Sequence, residues 1–236
     1  MIRPLFILLF SILFYLNGFS QNLTGQQILQ KSIEYHDPKG KWSAFKGGLH
    51  LRETRPSGPD RLTHLHVNNK TNFFELIQHK EKNELVHVIE NGKCMHLLNK
   101  STTISDADKE KHKLNCDRTN MLRNYYLYLW GLPMKLTDDG TVIHEKVEKT
   151  DFQGQEVLSL KVMYEKEVGD DIWYFYFNPT NYALVGYRFY HEEEKNDGEY
   201  ITLEGEEVIK DIRIPKTRKW YYNKDDKFLG ADILEK

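Results

Sequence analysis

The stretch IWYFYFNPTNYALVGYRFY, Ile172 to Tyr190, constrains the fold more than any other segment of the chain. Two strand-like runs flank Asn178-Pro179-Thr180-Asn181, a cluster of turn formers, so the segment reads as a β-hairpin. Alternation in the first run puts Trp173, Phe175 and Phe177 on one face and Ile172, Tyr174 and Tyr176 on the other. In the second run Ala183, Val185, Tyr187 and Phe189 share a face opposite Tyr182, Leu184 and Tyr190. A hairpin wetted on one side alternates apolar with polar residues, whereas this one is apolar on both. One face must meet a core; the other is rich in Tyr, which tolerates half-exposure.

The same texture continues on both sides of the hairpin. Strand-like runs lie near 43–54, 61–68, 71–79, 84–91 and 93–99, and again near 141–150, 155–165, 171–178, 182–192, 199–209, 211–222 and 227–235. Turn signals separate them, among them Asn91-Gly92, Gln153-Gly154 and Asn196-Asp197-Gly198. Connections this short imply antiparallel pairing, a meander and not a βαβ fold. Two helices stand out. Thr24 caps GQQILQKSIEYH, which places Ile28, Leu29, Ser32, Ile33 and His36 near one face before Asp37-Pro38 ends it. In DRTNMLRNYYLYLWGLP, Asp117 is the expected cap, and Met121, Leu122, Tyr125, Tyr126, Leu129 and Trp130 form an apolar stripe that Gly131 and Pro133 stop. The fold class is therefore mainly β (α+β), a sheet of about a dozen strands that must curl, with the helices filling its concave side. The polar stretch NKSTTISDADKEKHKLN reads as a surface loop with a short helix, inserted without starting a new domain.

The chain opens with Arg3 and a charge-free run from Leu5 to Leu16, followed by Asn17-Gly18-Phe19-Ser20. A run this short suits a signal peptide better than a spanning helix, so residues 1–20 read as a signal peptide cleaved near Ser20. The expectation is a soluble, exported protein with one domain over 21–236. Lys plus Arg (33) nearly balance Asp plus Glu (35), which gives no field that favours nucleic acid. Cys94 and Cys116 are the only cysteines. In an oxidising compartment they form either one disulfide, worth roughly 3 kcal/mol, or two buried thiols.

No motif supplies chemistry. His64-x-His66 has ligand-like spacing but no third ligand, and reads as half-exposed strand residues. The acidic pairs Asp138-Asp139, Asp170-Asp171 and Asp225-Asp226 each lie in a turn, where Asp is favoured for local hydrogen bonding. There is no GxSxG, HExxH, CxxC or glycine-rich phosphate loop, so neither a cofactor nor catalysis is expected. The remaining signal is aromatic: a large core, or an apolar cavity between curved sheet and helices, suited to an acyl chain.

The helix ending in Tyr35-His36, the Lys41-Trp42 that follows, and the run NYYLYLWGLPMKL (Asn124 to Leu136) resemble uncharacterised Gram-negative envelope proteins related to the LolA/LolB-like lipoprotein carriers. The resemblance is firmest from Asn124 to Tyr190. It implies an incomplete, highly curved β-barrel wrapped around helices, a half-barrel with an apolar cavity that in the carriers shelters lipoprotein acyl chains. The chain lacks a cysteine at the cleavage site, unlike the membrane-anchored members, and agrees better with a soluble periplasmic carrier. The lining residues expected are Met121, Tyr125, Tyr126, Leu129 and Trp130 from the second helix, with Trp173, Phe175, Phe177, Val185 and Tyr187 from the hairpin. The expected partner is a lipid or a lipidated protein. The alternative is a lipid-free module that docks another envelope protein.

Overall fold

A computed structural model of the chain describes residues 23–235; the segment read as a signal peptide and its cleavage site lie outside them. Twelve strands build one antiparallel sheet: β1 (Lys46–Thr54), β2 (Arg61–Asn68), β3 (Phe73–Lys80), β4 (Asn83–Glu90), β5 (Lys93–Leu98), β6 (Thr141–Phe152), β7 (Gln155–Tyr164), β8 (Ile172–Phe177), β9 (Leu184–Tyr190), β10 (Glu199–Ile209), β11 (Ile212–Tyr222) and β12 (Phe228–Glu235). The helices are α1 (Gly25–His36), α2 (Asp106–His112) and α3 (Cys116–Gly131). Across the sheet the order is β5-β4-β3-β2-β1-β12-β11-β10-β9-β8-β7-β6. Every neighbour is consecutive in the chain except β1 and β12, which pair from His50 opposite Glu235 to Thr54 opposite Ala231. That pairing folds the meander on itself and leaves β5 and β6 as edges, so the barrel is incomplete. The segment between those edges carries α2 and α3.

The inner face of the sheet and the buried sides of α1 and α3 share one core. Ile28 and Leu29 of α1, and Leu122, Tyr126, Leu129 and Trp130 of α3, pack with Leu49, Leu65, Phe74, Leu160, Phe175, Tyr187 and Ile201 of the sheet. The hairpin obeys the expected alternation in β8, where Trp173, Phe175 and Phe177 face this core. In β9 the alternation breaks. Tyr176 pairs with Gly186 but Phe177 pairs with Leu184, so a bulge inserts an extra residue. Leu184 is thereby turned inward beside Tyr187, and Val185, read from strict alternation as a lining residue, packs on the opposite face with Phe152, Val157, Tyr176 and Tyr200.

Phe152, at the end of β6, covers that opposite face. Its ring stacks on Tyr176 with centroids 4.2 Å apart and meets Tyr200 edge-on at 6.1 Å. It also lies over Gly186, where a Cβ would stand 2.3 Å from the ring, so only glycine permits the cover. The hairpin is apolar on both sides because it has two cores, a large inner one and a small outer one.

Helix α1 starts as its sequence dictates, with Thr24 and Gln27 forming a reciprocal capping box. Its last residue, His36, is fully buried: Nδ1 meets the Arg213 carbonyl at 2.7 Å and Nε2 accepts from the Leu184 amide at 3.0 Å. Burial pushes this imidazole below its ordinary pKa. Helix α3 begins two residues earlier than its sequence suggested. Asn115, not Asp117, is the cap, its side chain accepting from the Arg118 amide at 2.8 Å. Cys116, the first helical residue, is bonded to Cys94 of β5 across a Cα–Cα distance of 5.7 Å, which fastens the start of α3 to an edge strand. Beside it, the buried Thr119 hydroxyl donates to the Asn115 carbonyl at 2.9 Å and lies 2.9 Å from His87 Nδ1 and 2.8 Å from His96 Nε2. With the hydroxyl proton committed, both imidazoles donate to Thr119, and each is fixed in one neutral tautomer.

His87 sets a pH limit on the fold. Burial, reinforced by His96 and Arg118, pushes its pKa down to about 4. Above pH 6.5 the imidazole is neutral in both folded and unfolded chains. Below it the unfolded chain takes up a proton that the folded chain refuses, so stability falls by up to ~3 kcal/mol as the pH approaches 4. Urea unfolding of the wild type and of His87→Gln at pH 7 and pH 4.5 checks this: the wild type loses more stability on acidification, and equal losses would contradict the assignment.

Candidate functional site

Four charged residues sit side by side across the inner face of β2, β1, β12 and β11: Arg61 opposite Glu53, Glu53 opposite Asp232, and Asp232 opposite Arg218. Glu53 is buried and accepts from Arg61 Nε at 2.6 Å and Nη2 at 2.7 Å, from Tyr126 Oη of α3 at 2.9 Å, and from the Thr63 hydroxyl. Burial opposes its ionisation, but these donors hold its pKa below the usual carboxylate range. Asp232 is the reverse case. Burial and the Glu53 charge raise its pKa, and the Trp220 Nε1 donor at 2.9 Å only partly offsets them.

Arg218 is 1% exposed, and its guanidinium lies 3.7 Å from the centre of the Trp130 ring. Nη2 donates to the Leu129 carbonyl of α3 at 3.0 Å, and Nη1 to the Pro215 carbonyl at 3.1 Å. This row and the core beside it pin one side of α3, the side of Leu122, Tyr126, Leu129 and Trp130.

The other side of α3 does not meet the sheet closely. There an open groove of about 1030 Å³ runs between α3 and the strands. Tyr125, Tyr128 and Leu129 line it from the helix, and Trp173, Phe189 and Trp220 from β8, β9 and β11. The rings hold one another: Tyr128 meets Trp173 edge-on at 5.6 Å, Trp173 stacks on Phe189 at 4.8 Å, and Tyr125 stacks on Trp220 at 6.5 Å. Tyr128 and Tyr164 join hydroxyls at 2.5 Å, and burial pushes the Tyr164 pKa up to about 12, so these are neutral hydrogen-bonding groups at any working pH. Arg55, Arg123, Glu199 and Tyr222 also line the groove. A second cavity of about 480 Å³ shares Asn69, Asn72, Leu127, Lys135 and Asp138 with the first and extends towards Ile33 and Trp42.

Of the ten residues expected to line a cavity, the groove brings together Tyr125, Leu129 and Trp173. Tyr126, Trp130, Phe175, Phe177 and Tyr187 are buried in the core, Met121 is 47% exposed on α3 outside the groove lining, and Val185 faces outward through the bulge. The reason lies in α3. Its tyrosines and leucines run all round the helix, so a single stripe could not separate the core side from the groove side. The spacing of Tyr125 and Tyr128, three apart, was the available signal for the second side. Phe189 and Trp220 were on legible strands, but that they face the open side of the helix was not. His64 and His66 stand half-buried on the outer face; His66 Nδ1 lies 2.7 Å from Glu75, and no metal-holding group of three or more His, Cys, Asp or Glu side chains exists among the described residues.

A curved, unclosed antiparallel sheet around helices, with a groove beside one of them, is a LolA-like fold. It is shared with the LolA superfamily protein NE2245 from Nitrosomonas europaea, at a TM-score of 0.51 and 13% identity over 91% of this chain and 93% of that one. A domain from Vibrio parahaemolyticus assigned to outer membrane lipoprotein sorting matches at a TM-score of 0.51 and 11% identity, over 90% and 92%. The chain itself belongs to the family of unknown function DUF6503, which matches residues 3–235. No curated protein matches it.

The two sides of α3 respond differently to substitution. Arg218→Ala removes the donors to the Leu129 and Pro215 carbonyls and the cation over the Trp130 ring, unpins the helix, and lowers the unfolding free energy by about 3 kcal/mol. Tyr125→Ala, at a half-open position, costs about 1 kcal/mol or less. Chemical denaturation of both variants tests the division, and similar losses would contradict it.

Proposed function

We propose that this protein is exported to the periplasm and binds a lipid, or the acyl chains of a lipidated protein, in the groove between α3 and strands β8, β9 and β11. The observation that carries the reading is the groove itself. Its volume of about 1030 Å³ is at the upper end of ligand sites, and its walls are aromatic on both sides. A core of this size has every reason to close over such surface, and a groove left open between tyrosines and tryptophans fits a guest that supplies the missing apolar contact. The LolA-like fold supports the same reading, since one of the matching structures is assigned to lipoprotein sorting.

The reading is of a carrier or binder that leaves its guest chemically unchanged. The polar groups near the groove are arranged to hold protein together: Tyr128 to Tyr164, His191 to Asp171, Lys135 to Asp138. No helix among the described residues is long and apolar enough to cross a membrane.

Native mass spectrometry after gentle purification tests the reading. The expected result is a lipid-sized mass adduct, or uptake of one lipid per chain from phospholipid vesicles by delipidated protein. Protein that carries nothing and takes up nothing would overturn it.

A further inference from the structure

The charges along the groove are unequally committed. Lys135 pairs with Asp138, and Asp171 lies 2.6 Å from His191 Nδ1, so each of these has its counter-group within the protein. Arg123 does not. Its Nε and Nη2 reach only the Asn124 side-chain oxygen, at 3.4 and 3.3 Å, and no carboxylate of the described residues lies within ion-pair distance. A half-buried guanidinium with five donors and one weak acceptor is an incomplete site.

Arg55 is the second cation on the same groove. It donates to the Thr54 carbonyl at 2.5 Å and pairs with the buried Asp232 carboxylate at 3.4 Å, a long contact through Nη1 alone that leaves its other donors unused. Arg55 lies flat against β12 because Gly230 has no side chain: a Cβ there would stand 2.7 Å from Nη1 and 3.0 Å from Cδ. Its side chain is 42% exposed and lines the groove. The remaining acid, Glu199, has its pKa raised by burial. The groove thus offers Arg123, which has no acidic partner among the described residues, and Arg55, whose one ion pair is long, next to walls of Tyr125, Trp173 and Trp220.

We propose that the guest is an amphiphile with an anionic head, its oxyanion held by Arg55 and Arg123 and its apolar chain lying against Trp173 and Phe189. Arg is suited to this role because its planar fork matches a carboxylate or phosphate with two parallel hydrogen bonds. The inference rests on the lipid-binding reading of the groove and adds the chemistry of the head.

The test is titration of the delipidated full chain, by tryptophan fluorescence at low salt, with three probes of one chain length: hexadecanoate, hexadecyl phosphate and hexadecanol. At least one anion binds about tenfold tighter than the alcohol. Arg55→Gln/Arg123→Gln removes that preference, and Arg123→Gln alone, at a site with no acidic partner to strand, removes part of it. The better of the two anions assigns the head as carboxylate or phosphate. An alcohol that binds as tightly as both anions, or a double variant that keeps the preference, overturns the head-group assignment while the lipid-binding reading stands. Failure of all three probes to bind overturns both.

Discussion

A permanently charged guanidinium buried under a helix is the constraint from which the rest of this structure follows. Arg218 cannot shed its proton, so burial at 1% exposure demands that the surroundings complete it. The Leu129 carbonyl and Trp130 ring of α3 and the Pro215 carbonyl of its own strand answer most of that demand, Nε being left without an acceptor, and Asp232 stands beside it on the next strand. Asp232 then needs compensation of its own, because Glu53 lies directly opposite. Arg55 and the Trp220 indole provide it, while Arg61 and Tyr126 tie Glu53 to β2 and to α3. The row runs across the junction of the first and last strands, the one pairing in the sheet that short connections do not enforce. Charge therefore fixes the register of the closure and the position of the helix together.

The groove is a consequence of that placement. With Tyr126 and Trp130 drawn into the core, Tyr125 and Tyr128 are left facing strands that approach them with ring edges and faces and, at Tyr128, with the Tyr164 hydroxyl. The disulfide between Cys94 and Cys116 holds the start of α3 to β5, and the Thr119 hydroxyl holds it to His87 and His96. Both anchors sit near the beginning of the helix, while the Arg218 clasp sits near its end. A helix fixed at both ends and along one side presents its other side as a rigid wall. Rigid aromatic walls lose little conformational entropy on binding, which favours a guest of low chemical specificity along its chain.

Much of the fold was legible in the sequence because it is local. The turns Asn91-Gly92 and Gln153-Gly154, and the cap at Thr24, act over a few residues, and the strands and α1 formed where they pointed. The pairing of β1 with β12 was not legible, since residues such as Glu53 and Asp232 are far apart in the chain and share no periodic pattern. Nor was the bulge that turns Leu184 inward and Val185 outward. It depends on Tyr176 finding Gly186 as its partner and on Phe152 covering that glycine from another hairpin. The candidate site was partly legible for a related reason. Tyr125, Leu129 and Trp173 were named as apolar residues, but which apolar residues stay uncovered depends on where Arg218 and Glu53 hold the helix. Two charged residues on strands 165 positions apart set that, and neither carries a signal in its neighbours.

The central claim is that the groove side of α3, and not its core side, meets the guest. Single-tryptophan variants make this measurable, because Trp173 and Trp220 line the groove while Trp130 lies in the core against Arg218. Fluorescence quenching by a lipid carrying a brominated acyl chain should be strong in the variants retaining only Trp173 or only Trp220, and weak in the one retaining only Trp130. Absent quenching at Trp173 and Trp220, or quenching strongest at Trp130, would contradict the account.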